Sequence, residues 1–218
     1  MKGKLFLAGG GSEELSKEID TAWKNSLPEK PRVLLIPFAR PPEKYTKTLA
    51  WFKKAYSFID FGEIRMLERP DQFSRKEILS FDSIYIGGGN TFQLLRTLRN
   101  SGLDKTITEF HNLGKPIYGG SAGAVVLGKT IQTANWLDEK EDIDPRGLDL
   151  FPNNTGGDTA AVHYVPSHEQ NIKQIDARII RIAEDGGVII NNEELICVGS
   201  AAQYQKEKVK KTNEKTTK

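Results

Sequence analysis

The sequence is poor in most of the features that assign a chemistry at a glance. It has one cysteine, Cys197, in 218 residues, which excludes an internal disulfide and any metal site built from several thiolates. In the apolar run "ELICVG" this cysteine reads as a small buried hydrophobe in a strand. Histidine is nearly as scarce, with three in all: His111, His163 and His168. Excess charge is also lacking. A net charge of +2, part of it carried by the lysine-rich C-terminal end, gives no electrostatic basis for binding nucleic acid or an anionic membrane. No apolar run approaches the ~18 residues of a membrane span, and the apolar part of "MKGKLFLAGGG" is too short for a secretory leader. The expected location is cytoplasmic. Hydrophobic residues make up 38% of the chain and charged residues 28%, the balance of an ordinary globular domain. The length allows roughly 70% of the unfolded surface to be buried around a single core.

What the chain does have is alternation. The apolar run at 5–8 ends in Gly9, Gly10 and Gly11, and Ser12 is set to cap a helix with Glu13 and Glu14 in its first turn. "RVLLIPFA" from Arg32 is continuously apolar, as a strand buried on both faces must be. A helix over 43–56, a short strand near 64–67 and a short helix over 74–79 follow. "DSIYIGGGNTFQLLRTLRN" repeats strand, glycine turn and helix, and a helix at 104–113 leads to a strand at 116–119. This alternation predicts an α/β fold, a doubly wound, mostly parallel sheet with helices on both faces. The second half reads differently: an acidic surface loop around "DEKEDIDP", strands in "AAVHYV" and "ARIIRI" around a helical piece at 169–176, and a hairpin in "GVIINNEELICVG" turning at Asn191 and Asn192. One domain over 1–203 is expected, followed by a basic tail, 204–218, too polar to fold.

Chemistry enters at "IYGGSAGAVVLG". Gly119, Ser121 and Gly123 satisfy G-x-S-x-G between a strand-like and a helix-like run, the context in which that pattern means an exposed nucleophile. A close helix–strand crossing would also select Gly and Ala, so the pattern alone leaves packing open. A serine hydroxyl needs a base. His111, in "TEFHNLG", reads as a solvated helix residue; His163 ends a strand-like run, where parallel sheets present catalytic groups; His168, in the polar turn beyond, is the other candidate. Acyl transfer also needs donors for a developing oxyanion. The N–H of Ala122 is one candidate, and the "GGGN" turn at 87–90 is another. Read instead as a phosphate cradle, that turn fails the dinucleotide fingerprint, because Phe92 stands where a third glycine belongs, and it lacks the P-loop lysine.

Taken together, "IYIGGGNTFQLL" and the later "GGSAGA" resemble the peptidase E family, the α-aspartyl dipeptidases and their relatives the cyanophycinases; "VLLIPFA" and "GLDLFP" extend the likeness over about residues 4–199. The resemblance implies a class I glutamine amidotransferase-like (flavodoxin-like) fold with serine in place of cysteine. It also implies a cofactor-free serine peptidase that cuts dipeptides or short peptides. By the same resemblance Ser121 matches the nucleophile, His163 the base, Gly89 and Ala122 the oxyanion amides, and Glu184, in "AEDGG", the triad acid. The chain also departs from the pattern. Where the aspartyl dipeptidases carry arginines after the histidine it has His168 and Asn171, and where an acid is expected after the nucleophile helix it has Asn135 and Trp136, with Asp138 nearby. These departures detach hydrolysis from a strict requirement for N-terminal aspartate. Arg40, Asn90, His168 and Asn171 are the candidate substrate contacts. The expected partner is a short peptide, with no nucleic acid, membrane or metal involved, and the chain acts as a monomer or homodimer. The rival readings are an α/β-hydrolase-type esterase using Asp144 or Asp158 as its acid, a non-catalytic small-ligand-binding protein on the same fold, and a nucleotide-binding regulator.

Overall fold

Short apolar runs separated by helices can bury both faces only by lying side by side under helical layers, and the computed structural model of the chain has that arrangement. It describes residues 1–154 and 156–199; the expected tail at 204–218 lies outside them. Strands β1 (Leu5–Ala8), β2 (Arg32–Ile36), β3 (Glu63–Met66), β4 (Ser83–Ile86) and β5 (Ile117–Gly120) are mutually parallel. Strand β8 (Gly186–Asn191) joins β1 antiparallel and β9 (Glu194–Gly199) pairs antiparallel with β8, so that seven strands among the described residues lie in the order β3-β2-β4-β5-β1-β8-β9. The fold is thus the doubly wound α/β arrangement that the alternation predicts.

Helices cover both faces. On one side lie α1 (Lys17–Lys24) and α2 (Tyr45–Ala55), the latter entered through a 3₁₀ turn at Pro42–Lys44. Trp23 of α1 donates its indole N–H to Ser83 and packs against Tyr85 and Tyr118 of the sheet and Phe52 and Tyr56 of the α2 layer. Because side chains alternate along a strand, Ile84 and Ile86 face the other way. There α4 (Thr91–Ser101), α5 (Leu103–Asn112) and α6 (Ala122–Val126) pack together. A short α3 (Arg75–Ile78) opens on a capping box between Ser74 and Glu77.

The second half holds a smaller unit. Strands β6 (Thr159–Ala161) and β7 (Ile179–Arg181) pair in parallel outside the main sheet, with α7 (Glu169–Ile172) between them. Both are three residues long, shorter than the runs around them imply.

Several local expectations change. The first helix begins at Lys17 rather than beside Ser12, because 13–16 form a turn in which the Ser16 N–H bonds to the Ser12 carbonyl. The hairpin turns at Asn192 and Glu193, since Asn191 still pairs with Glu194, and Asn192 takes the left-handed φ of 54°. Cys197 is exposed, because β9 is the edge strand of the sheet. His111 is not solvated: only 2% of it is exposed, it sits under the N-terminal residues, and Gly3 donates its N–H to the His111 carbonyl. Among the described residues no helix is long and apolar enough to cross a membrane.

Candidate active site

Ser121 stands at the corner where β5 becomes α6, with φ 51° and ψ −112°. A non-glycine residue held there costs about 1–3 kcal/mol and persists only where its surroundings impose it. The two motif glycines do the imposing. A Cβ on Gly119 would lie 2.6 Å from the Gly123 carbonyl carbon, and one on Gly123 would overlap the Ile86 carbonyl. Close strand–helix packing and the placement of the hydroxyl are therefore one feature, since the packing fixes the corner on which the half-buried serine sits.

The carboxyl end of β1 ties the site together. Ser121 donates its N–H to the Ala8 carbonyl at 3.1 Å, and His163 donates its N–H to the Gly9 carbonyl at 3.0 Å. Two successive carbonyls thus hold the serine and the histidine against the same strand. Gly10, at φ 104°, comes next, and a Cβ there would overlap the imidazole Cε1 and lie 2.5 Å from Nε2 and 3.1 Å from Ser121 Cβ. The triple glycine is plain in the sequence, but what approaches it is set by residues far along the chain. For that reason Gly10 is missing from the expected site.

Ser121 Oγ lies 2.9 Å from His163 Nε2, and His163 Nδ1 lies 3.0 Å from Glu184 Oε1. The second contact follows from the β6–β7 register. Ala161 pairs with Arg181, Ile182 donates its N–H to the Ala161 carbonyl, and Tyr164 donates to Ile182. Residues 163 and 184 therefore leave the two strands side by side. The Glu184 side chain is 58% exposed, so this is a wet contact. The rival acids are engaged elsewhere: Asp144 with Arg146, which holds its carboxyl down to about 2, and Asp158 with Arg178 at 2.6 Å. Neither lines the cavity in front of Ser121.

That cavity has a volume of about 740 Å³ and runs from Ser121 and His163 between α1 and α2. Arg40, Lys44 and Lys47 line it, as do Leu137 and Asp138 of the acidic loop. Its polar floor is Asp20, 5% exposed, whose carboxylate accepts from Tyr118 at 2.6 Å, Ser16 at 2.8 Å and Tyr56 at 3.1 Å. Burial pushes the Asp20 carboxyl above its ordinary range, against the lowering effect of those hydroxyls.

The "GGGN" turn borders the same space: a Cβ on Gly88 would lie 3.1 Å from Ser121 Cβ. No carbonyl among the described residues receives the N–H of Gly89 or of Ala122, and Ala122 opens α6, where the helix itself supplies no acceptor. Of the four candidate substrate contacts, Arg40 lines the cavity and donates its Nε–H to the Gly88 carbonyl at 3.1 Å. Asn90 is committed within the fold. Its Oδ1 accepts the Gln93 N–H at 2.8 Å, capping α4, and its amide donates to Glu139 at 2.9 Å. Beside it the Asp138 carboxylate accepts the Thr91 N–H at 2.8 Å. His168 packs against Trp136 and Tyr164, and its Nδ1 is buried without a partner among the described residues. Asn171 is exposed on α7. Neither His168 nor Asn171 lines the cavity.

Comparison with known proteins agrees with this architecture. The chain is 38% identical over 124 residues to peptidase E of Haemophilus influenzae, a match covering 55% of the chain and 54% of the relative. It is 35% identical over 119 residues to peptidase E of Shewanella baltica, covering 55% of the chain and 49% of the relative. The chain thus spans about half the length of the curated relatives it matches. A solved structure from Listeria monocytogenes, put forward as a peptidase E protein, superposes with a TM-score of 0.72 at 25% identity, over 92% of this chain and 100% of that one. A peptidase from an acI-B1 actinobacterium superposes with a TM-score of 0.70 at 20% identity, over 92% of this chain and 88% of that one, and carries the fold alone. The family model described as peptidase family S51 matches residues 5–204. The chain therefore belongs to peptidase family S51.

Proposed function

We propose that the protein is a serine peptidase that hydrolyses dipeptides or other short peptides through Ser121, His163 and Glu184. One observation carries the reading: the unbroken line from Ser121 Oγ to His163 Nε2 at 2.9 Å and from Nδ1 to Glu184 at 3.0 Å. His163 takes the hydroxyl proton as Ser121 Oγ attacks the peptide carbonyl. The oxygen that gains the negative charge is met by the N–H groups of Gly89 and Ala122, each worth about 3 kcal/mol in a water-poor site. Glu184 keeps the imidazole in the tautomer with its proton on Nδ1 and stabilises the cation that forms. The imidazolium then protonates the departing amine, and water, deprotonated by the same imidazole, releases the acid and restores Ser121.

The cavity supports a short substrate. Its volume of about 740 Å³ falls within the range of small-ligand pockets, and the cationic wall of Arg40, Lys44 and Lys47 suits the free carboxylate that every short peptide carries. With His168 and Asn171 outside the cavity, no cluster among the described residues on that side singles out an N-terminal aspartate.

A dipeptide library with leucine as second residue, presented to wild type and Ser121→Ala, tests the reading. Release of free amino acids by wild type and none by the variant is expected, with a fluorophosphonate labelling only wild type. An intact library together with an unlabelled Ser121 would remove the peptidase assignment.

A further inference from the structure

We infer that Arg40 is a positioning residue for the oxyanion hole: its guanidinium fixes the Gly88–Gly89 peptide in the orientation that turns the Gly89 N–H toward the reacting carbonyl. This rests on the serine-peptidase reading above and deepens it.

The argument begins with the planar amide. In a trans peptide the C=O and the following N–H point in opposite directions across one rigid plane. Whatever fixes the Gly88 carbonyl therefore also fixes the Gly89 N–H. Arg40 Nε donates to that carbonyl at 3.1 Å, so the Gly89 N–H is turned away from Arg40 while Gly88 itself lies against Ser121.

The turn needs such a restraint. Gly87 is anchored through its N–H to the Ile36 carbonyl at 3.1 Å, and Asn90 through its N–H to the Ala39 carbonyl at 2.8 Å. Both anchors flank the Gly88–Gly89 peptide and neither engages it. Two glycines without side chains, one at φ 144°, leave that plane free to rotate unless a partner holds it. Among the described residues, the bond from Arg40 is the one hydrogen bond that the Gly88 carbonyl accepts. A cationic donor on the carbonyl also polarises the amide, which makes the N–H at its other end a stronger donor. Beyond its charge in the cavity wall, Arg40 thus acts on the reacting carbonyl through Gly89.

A substrate with no carboxylate separates this role from a clamp on the peptide's charge. With p-nitrophenyl acetate, acylation of Ser121 is expected to slow at least about tenfold in Arg40→Met, a fraction of the ~10²–10³ lost when an oxyanion donor is removed outright. Arg40→Lys, whose ammonium also donates, is expected to recover part of the rate. Carbethoxylation of His163 by diethyl pyrocarbonate, which needs no oxyanion donor, should proceed at the wild-type rate in both variants. Acylation of Arg40→Met as fast as wild type overturns the inference. So does a parallel loss of His163 carbethoxylation, which would mark a collapsed site. If wild type itself shows no acylation that Ser121→Ala abolishes, the peptidase reading fails first and takes this role with it.

Discussion

The imidazole of His163 has room to reach Ser121 because Gly10 has no side chain, and this makes Gly10 the most exacting test of the site. A Cβ at position 10 would overlap the ring, and φ 104° is strained for alanine in any case. Gly10→Ala is expected to fold, since the clash can be relieved by swinging the imidazole off Ser121. Its kcat on the best dipeptide should fall at least about a hundredfold, the scale of a catalytic group displaced by an ångström. Unchanged turnover would show that the 2.9 Å contact is not the working one. Glu184→Gln should lose less, about 10–100-fold in kcat, because an exposed acid is partly replaced by water; a buried triad acid is worth ~10⁴. Near-normal turnover in this variant would move the acid elsewhere. The residues of this site divide by how local their signal is. Ser121 is legible because its glycines surround it in sequence, and Glu184 because a family pattern carries it. Gly10 is not, because its constraint comes from the side chains of residues 121 and 163. His111 and Cys197 are misread for a similar reason: a helical position faces solvent or core according to its neighbours, and an apolar strand is exposed when it lies at an edge.

The strand–helix alternation of the first half is visible in the sequence because each buried strand must be apolar throughout and each helix must carry a stripe. The pairing of β6 with β7 is not visible, since three-residue strands have no measurable period, yet that pairing brings His163 beside Glu184. The acidic loop is likewise opaque until it folds. In the structure it caps α4, with the Asp138 carboxylate on the Thr91 N–H and the Glu139 carbonyl on the Asn90 amide. Asn90→Ala should therefore act on stability. Loss of the Gln93 cap and of the loop tie together is expected to lower the unfolding free energy by about 1–2 kcal/mol, read by chemical denaturation. Asn90→Asp keeps a capping oxygen and should recover most of that. If Asn90→Ala instead raises KM on dipeptides at unchanged stability, the side chain is a substrate contact after all.

Two buried titratable groups give the whole molecule an opposed response to acid. His111, with neither ring nitrogen partnered among the described residues, has its pKa lowered to about 4, first by burial and then by the charge of Lys2. Below the ordinary histidine value of about 6.5, the unfolded chain takes up a proton that the folded chain refuses, so stability is lost as pH falls from there toward 4. The loss at pH 4 is about 3 kcal/mol. Asp20 works in the other direction. Its carboxyl is raised by burial, so the unfolded chain releases the proton first, and stability falls as pH rises from its unfolded value through the folded one. Carboxylates held low by arginines, Asp158 by Arg178 and Glu169 by Arg181, cost stability only at pH values below their ordinary range of about 4. His111→Leu removes the histidine response alone and fills the same space without orphaned nitrogens. At pH 7 it should be as stable as wild type or more so. Between pH 6.5 and 4 its denaturation midpoint in urea should fall less than that of wild type, by the equivalent of about 3 kcal/mol at the acid end. Parallel midpoint curves for the two proteins would mean that His111 titrates in the folded state as it does in the open chain, and that its burial carries no charge penalty.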